Sequence, residues 1–298
     1  MKVAITGGTG FIGSILTAKL QQNGHDVIIL TRKPSSEHDG IQYVQWLTDH
    51  AAPENEIGHL DAIVNLAGVS IDEGRWTSER KKAIRDSRIT ATQEVLRIVR
   101  TLPEKPSVLV NASAIGIYPP SLTAEYTDSS TAVGENFLAK TVYDWENLAE
   151  HAGDLGVRTV FTRFGIVLGK KGGALPLIKL PYQLFAGGKI GSGNQWFSWV
   201  HVDDVANAII FSLENNAVKG PVNVVAPSPM HMNAFGKTIA KVLGRPHWFP
   251  VPSFAMELAL GEKSIVVLEG QHVLPTKLLQ NGFTFQYPSL EPALKNLL

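Results

Sequence analysis

The sequence predicts an α/β fold: a doubly wound parallel sheet with helices on both faces, followed by a smaller C-terminal lobe. Three observations carry that reading. The apolar run Val3-Ala4-Ile5 leads directly into the glycine-rich turn Thr6-Gly7-Gly8-Thr9-Gly10-Phe11-Ile12-Gly13. Short apolar runs then alternate with segments of helical periodicity as far as Phe164, the pattern of repeated βα units. Beyond Gly165 the alternation gives way to loops punctuated by Gly169, Gly172-Gly173, Gly187-Gly188, Gly191 and Gly193.

After the turn, Phe11, Ile12, Ile15, Leu16 and Leu20 recur at helical spacing up to a stop at Asn23-Gly24. Asp26 to Thr31 is a second strand, its run Val27-Ile28-Ile29-Leu30 suited to burial on both faces. Ile41 to Gln45 and Asp61 to Leu66 read as a third and a fourth strand. The helix that follows runs from Ser78 to Arg100, with Ile84, Ile89, Val95, Leu96 and Val99 as its inner stripe. Ser107 to Ala112 is the fifth strand, Asn136 to Leu155 a helix, and Val157 to Phe164 the next strand. In the C-terminal part, Asp203 to Leu213 reads as a helix with Asp203 or Asp204 near its start, and Val222 to Val225 as a strand. Asn233 to Leu243, capped by Asn233, and Phe254 to Leu260 read as helices. The expected division is a nucleotide-binding domain over 1–165, to which 199–226 returns, and a smaller substrate lobe over 166–298.

Glycines 8, 10 and 13 satisfy G-x-G-x-x-G, directly after a strand and at the start of a helix. That context predicts a bound dinucleotide. Glycine lets the backbone approach a diphosphate and lets helix lie on strand, while the helix N-terminus offers unpaired N–H groups and positive dipole. An NAD site usually carries an acid about 20 residues further on, to bind the ribose 2′-hydroxyl. Thr31-Arg32-Lys33 stands there instead, and Arg32 offers a planar fork for a 2′-phosphate, so NADP(H) is the expected cofactor.

The composition removes other classes. Lys plus Arg (27) equals Asp plus Glu (27), which leaves no overall basic field for nucleic acid or an anionic membrane. With no cysteine, the 298-residue chain has no disulfide, thiolate metal site or cysteine nucleophile. No apolar run approaches the roughly 20 residues of a membrane span, and no signal-peptide profile opens the chain, so a cytoplasmic protein is expected. The histidines form no H-E-x-x-H pattern, and His201-x-Asp203-Asp204 lacks a third ligand, so no metal is expected.

Several motifs, in order, carry a resemblance. They include Asn65-Leu66-Ala67-Gly68, Arg75-Trp76-Thr77, Ser87-Arg88-Ile89, Arg163-Phe164-Gly165-Ile166-Val167-Leu168-Gly169, Trp199 to Ala206, and Pro275 to Tyr287. With the glycine turn, whose residues 7, 10 and 13 also give G-x-x-G-x-x-G, the chain resembles the NAD(P)-dependent epimerase/dehydratase family of extended short-chain dehydrogenase/reductases. Within it, the likeness is to an atypical branch of epimerase family proteins. The resemblance implies a Rossmann lobe that holds the nucleotide and a C-terminal lobe that closes over the substrate. It places Gly7, Thr9, Gly10, Phe11, Ile12, Gly13, Thr31, Arg32, Lys33 and Arg88 at the cofactor. Leu66, Ala67 and Gly68 fall on the adenine-ribose side, with Ala112, Ser113, Arg163, Phe164, Gly165 and Ile166 near the nicotinamide.

Catalysis departs from the pattern. The family's usual Tyr-x-x-x-Lys pair works because an ammonium lowers the phenol's pKa. Aligned on Glu146, Leu138 occupies the tyrosine place and Val142 the lysine place, and neither moves a proton. Three outcomes stay open. Tyr118 is the acid/base, with Ser113 and Lys140 or Arg88 nearby; or solvent or a substrate group supplies the proton; or the chain binds NADP(H) without turnover, as a sensor or regulatory protein. The function expected is that of an NADP-dependent oxidoreductase or epimerase-like protein acting on a small molecule. Gly187 to Gly193 reads as a flexible rim of the substrate pocket. Arg75 and Trp76 read either as substrate contacts at the cleft mouth or as surface packing.

Overall fold

The apolar runs become adjacent strands because each has to bury side chains on both faces. The computed structural model describes residues 1–298. Its first half contains β1 (Lys2–Thr6), α1 (Phe11–Gln22), β2 (Asp26–Thr31), β3 (Ser36–His38), β4 (Ile41–Gln45), α2 (Glu54–Ile57), β5 (Ala62–Asn65), α3 (Ser78–Thr101), β6 (Val108–Ala114), β7 (Glu125–Tyr126), α4 (Phe137–Glu150) and β8 (Arg158–Phe164). There follow β9 (Ile166–Leu168), α5 (Leu175–Gln183), β10 (Trp196–Phe197), β11 (Trp199–His201), α6 (Val202–Glu214), β12 (Gly220–Val224), β13 (Met230–His231), α7 (Met232–Leu243), α8 (Ser253–Leu260), α9 (Ile265–Leu268), β14 (His272–Val273), α10 (Thr276–Gln280) and α11 (Leu290–Leu297).

Eight strands form the main sheet in the order β12-β8-β6-β5-β1-β2-β4-β3, every pair parallel except β3 with β4. Alternation of side chains splits each strand between two cores. Val3, Ile5, Val27, Ile29 and Val64 meet Leu16 and Leu20 of α1 and Val205 and Ile209 of α6 on one face. Ala4, Ile28, Leu30 and Ile63 meet Val95, Leu96 and Val99 of α3 on the other. Both faces are therefore covered, as the Rossmann reading requires. A third cluster, with Leu168, Phe197, Trp199, Phe235, Ile239 and Leu294, lies in the C-terminal part. No helix is long and apolar enough to cross a membrane.

Local details differ from expectation for identifiable reasons. In α3 the inner stripe takes Ile98, fully buried, while Ile89 is only partly covered. The helix expected to reach Leu155 stops at Glu150; a short 3₁₀ turn at Gly153–Leu155 and Gly156 at φ 77° redirect the chain into β8. Helix α6 has both aspartates in its first turn, as expected, but its cap is His201, whose Nδ1 accepts the Asp203 N–H at 3.0 Å. Asp204 instead lies buried and accepts the backbone N–H groups of Gln286 (2.7 Å) and Tyr287 (2.9 Å), which fastens the C-terminal tail to α6. Helix α7 starts one residue early, and Asn233, expected to cap it, pairs with His247 at 2.9 Å.

Candidate functional site

The glycine turn is built by close approach. Gly7 has φ 68°, a left-handed conformation that a side chain would strain, and a Cβ on it would lie 2.8 Å from Leu66 O. A Cβ on Gly13 would lie 2.2 Å from Gly7 O, so α1 can rest on the turn only because residue 13 has none. No side chain caps α1, whose N-cap is Gly10. Its first amides therefore face the space above the carboxyl end of β1, the geometry that binds anions. Thr6 fixes the neighbouring loop: Oγ1 donates to Asn65 Oδ1 (2.6 Å) and accepts from Leu66 N (3.0 Å) and Ala67 N (3.1 Å).

From this turn a cleft of about 470 Å³ runs along the carboxyl ends of the strands. Gly7, Gly10, Phe11, Ile12, Gly13, Leu66, Ala67, Gly68, Arg88, Ala112, Ser113, Phe164, Gly165 and Ile166 line it, all expected from the sequence. Leu138, Thr141, Val142 and Trp145 of α4 form one wall, so the two apolar replacements do face the cleft. Trp196, Ser198, Ile265, Val266 and Glu269 to Gln271 complete it from the C-terminal side. The sequence reading missed this last segment. A signal was Gly270, whose absent Cβ would lie 1.9 Å from Trp196 O. Thr9 is exposed beside the turn, and Thr31, Arg32 and Lys33 lie past the cleft at the carboxyl end of β2, with both cationic residues exposed.

Three expected site residues lie elsewhere. Lys140 is exposed on the outside of α4 and is not in the lining. Arg163, expected near the nicotinamide, turns away from the cleft into a buried fork with Glu146, Nε to Oε1 at 2.8 Å and Nη2 to Oε2 at 2.7 Å. Tyr118 is fully buried, stacked on Tyr126, and its hydroxyl bonds to Thr127 O (3.0 Å), Asn223 Oδ1 (2.8 Å) and Arg163 Nη1 (2.8 Å). Burial raises its pKa against the pull of Arg163, which keeps the phenol protonated. A tyrosine outside the lining with its oxygen so engaged is a structural group in this conformation.

The same network reaches the cleft at one point. Ser113, at the end of β6, donates to Glu146 Oε1, so the carboxylate anchors a hydroxyl that lines the cleft. Burial opposes the charged form of Arg163, but the bidentate bond from Glu146 outweighs it and raises the guanidinium pKa. Sequence reasoning used Glu146 only to align the helix; a lone glutamate on an amphipathic helix gives no sign of a buried partner.

Arg88 differs from most α3 cations, and unlike Arg100, which is exposed near the helix end, it lines the cleft. Arg80, Lys81, Lys82, Arg85 and Arg97 all pair with carboxylates, whereas the hydrogen bonds of Arg88 go to Val69 O (3.1 Å) and Ile84 O (2.8 Å). Its guanidinium lies over the Trp145 ring at 5.2 Å, and burial pushes its pKa down to about 10.

Arg75 and Trp76, which are not in the lining, serve packing. Arg75 Nη2 donates to the carbonyls of Leu258 and Ala259, and Lys81 pairs with Glu262 at 2.7 Å, clamping the end of α8 and the turn after it onto α3 and the loop before it. Trp76 is buried and donates to Ile71 O at 3.0 Å. The Gly187 to Gly193 loop does not rim the cleft, because it packs on the chain at 248–251, with Trp248 N bonding Gly187 O (3.0 Å) and Gly191 N bonding Val251 O (2.9 Å).

Comparison with known proteins gives a consistent picture. The model of the NAD dependent epimerase/dehydratase family matches residues 3–226, and a domain of unknown function, DUF1731, matches 251–297. The Epimerase family protein YfhF of Bacillus subtilis is 50% identical over 299 residues, covering 100% of this chain and 98% of that protein. The structure of human epimerase family protein SDR39U1 with NADPH superposes with a TM-score of 0.90 at 37% identity, covering 100% of this chain and 99% of that one. A nucleoside-diphosphate sugar epimerase from Corynebacterium glutamicum gives a TM-score of 0.79 at 32% identity, covering 100% of this chain and 58% of the other.

Proposed function

The chain belongs to the NAD dependent epimerase/dehydratase family, and from that premise we propose that it is an NADP(H)-dependent oxidoreductase acting on a small, largely apolar carbonyl or alcohol compound. One observation carries the proposal. The cleft does not end at the glycine turn but continues past Ser113 to Trp196, Ile265, Val266 and Glu269 to Gln271, residues that the dinucleotide cradle does not use.

The cradle fits the cofactor. Gly7, Gly10 and Gly13, together with the uncapped amides of α1, receive a diphosphate where any Cβ would intrude. Arg32 and Lys33 at the end of β2 take the 2′-phosphate, and the NADPH in the SDR39U1 structure supports that preference. Leu66, against Gly7, flanks the adenine-ribose side, the loop runs on through Gly68 to Arg88, and Ala112, Ser113 and Phe164 to Ile166 flank the nicotinamide. A bound nicotinamide supplies or accepts hydride. Ser113, its proton hydrogen-bonded to Glu146, keeps lone pairs that can accept from the hydroxyl of an alcohol substrate. Leu138, Val142, Ile166 and Val266 exclude water, and they offer few hydrogen bonds to a sugar. With Tyr118 and Lys140 outside the cleft, the proton comes from solvent or from the substrate itself.

NADPH absorbance, followed while aldehydes, quinones and nucleotide sugars are offered in turn, tests this. Oxidation with an apolar carbonyl or quinone is expected. Tight NADPH binding without oxidation across the whole panel overturns it in favour of a noncatalytic nucleotide sensor.

A further inference from the structure

Arg88 is the only lysine, arginine or histidine among the residues that line the cleft. Both of its hydrogen bonds, to Val69 O and Ile84 O, use Nη1, which leaves Nε and Nη2 for a ligand. It is also held in place. The Trp145 ring lies beneath the guanidinium, Trp145 is itself pinned by Nε1 donating to Thr92 Oγ1 at 2.9 Å, and a Cβ on Gly68 would lie 3.2 Å from Arg88 Cζ. A half-buried cation without a carboxylate is left under-solvated unless a ligand offers oxygens to it.

Topology indicates which oxygens. Strand β1 has β2 on one side and β5 on the other. If the diphosphate sits on α1, the nucleoside carrying the 2′-phosphate lies toward Arg32 at the end of β2, and the other half crosses β5 and β6. The loop Leu66 to Gly68 spans that path: Leu66 O abuts Gly7, and Gly68 abuts Arg88. At about 3.8 Å per residue the loop can carry Gly68 no more than roughly 8 Å beyond Leu66, so the guanidinium lies within reach of the ribose next to the diphosphate.

We propose that Arg88 binds the ribose hydroxyls and adjoining phosphate oxygen of the nicotinamide half of the dinucleotide, supplying from α3 the positive charge that Leu138 and Val142 on α4 lack. This rests on the NADP(H) reading above. It gives Arg88 a binding role, separate from proton transfer.

Calorimetric titration with three ligands tests it: NADPH, 2′-phospho-ADP-ribose, which keeps the second ribose but lacks nicotinamide, and adenosine 2′,5′-bisphosphate, which lacks that half altogether. Arg88→Met is expected to weaken the first two by about tenfold to a hundredfold, the worth of a charge-assisted contact, and to leave the third within about twofold. Arg88→Lys should recover part of the loss. Equal weakening of all three, which would mean a merely structural role, overturns the proposal. So does weakening of NADPH alone, or no weakening at all. Failure of the unaltered protein to bind any of the three would instead overturn the cofactor reading on which the proposal stands.

Discussion

Removing the Glu146 carboxylate would leave Arg163 as an unpaired charge in the interior. The pair is shielded, with side-chain exposures of 7% for Arg163 and 9% for Glu146, and Glu146 also accepts from Ser113. Breaking a buried, bidentate pair from one side costs about 3–5 kcal/mol. For 298 residues the unfolding entropy is about 0.63 kcal/mol per degree, so Glu146→Ala should lower Tm by about 5–8 °C in a calorimetric scan. Replacing both partners by methionine removes the stranded charge as well, and should recover a substantial part of that loss. A loss below about 2 °C for Glu146→Ala, or a double variant no more stable than the single one, would refute the view that this network holds the floor of the cleft.

Gly13→Ala places a Cβ 2.2 Å from Gly7 O, forcing α1 off the turn, and should cut NADPH affinity at least about tenfold by titration. Arg32→Glu should weaken NADP far more than NAD; equal losses for both would defeat the 2′-phosphate assignment. His201 gives a pH dependence. Burial lowers its pKa, opposed by Asp203, the Asn296 hydrogen bond and Asp204, and its Nδ1 has to stay unprotonated to cap α6. Because the folded value is depressed, the stabilisation is complete above the unfolded value of about 6.5 and is lost as pH falls through the folded one. Thermal scans from about pH 8 to pH 5 should therefore show a steeper acid loss for the unaltered protein than for His201→Asn, whose amide oxygen can still cap.

The parts of this molecule that were legible in its sequence are those decided locally. The strand, turn and helix at β1 and α1 are written in consecutive residues, since the apolar run, the glycines and the helical spacing all act within about 20 positions. Strand β3 was illegible because Ser36, Glu37 and His38 are all exposed and pair only with β4 at the sheet edge, so no apolar pattern marks them. The cofactor side of the cleft followed from residues at strand ends, where topology fixes position. The buried network did not, because whether Arg163 faces the cleft or Glu146 depends on how α4 lies against β8, a long-range contact that spacing does not encode. Tyr118 was misplaced for the same reason: Asn223, which accepts its hydroxyl, comes from β12, far along the chain. The segment 265–271 escaped notice because its lining role arises only when the C-terminal part folds back over β6.

A crystal structure of the protein grown with NADPH tests the central claim most directly. The account predicts the diphosphate on the amides of Phe11 to Gly13, the 2′-phosphate at Arg32, and the nicotinamide beside Ser113 and Ile166, with the Trp196 end of the cleft left open for substrate. A nucleotide bound away from the glycine turn, or a nicotinamide turned out of the cleft toward solvent, would contradict it.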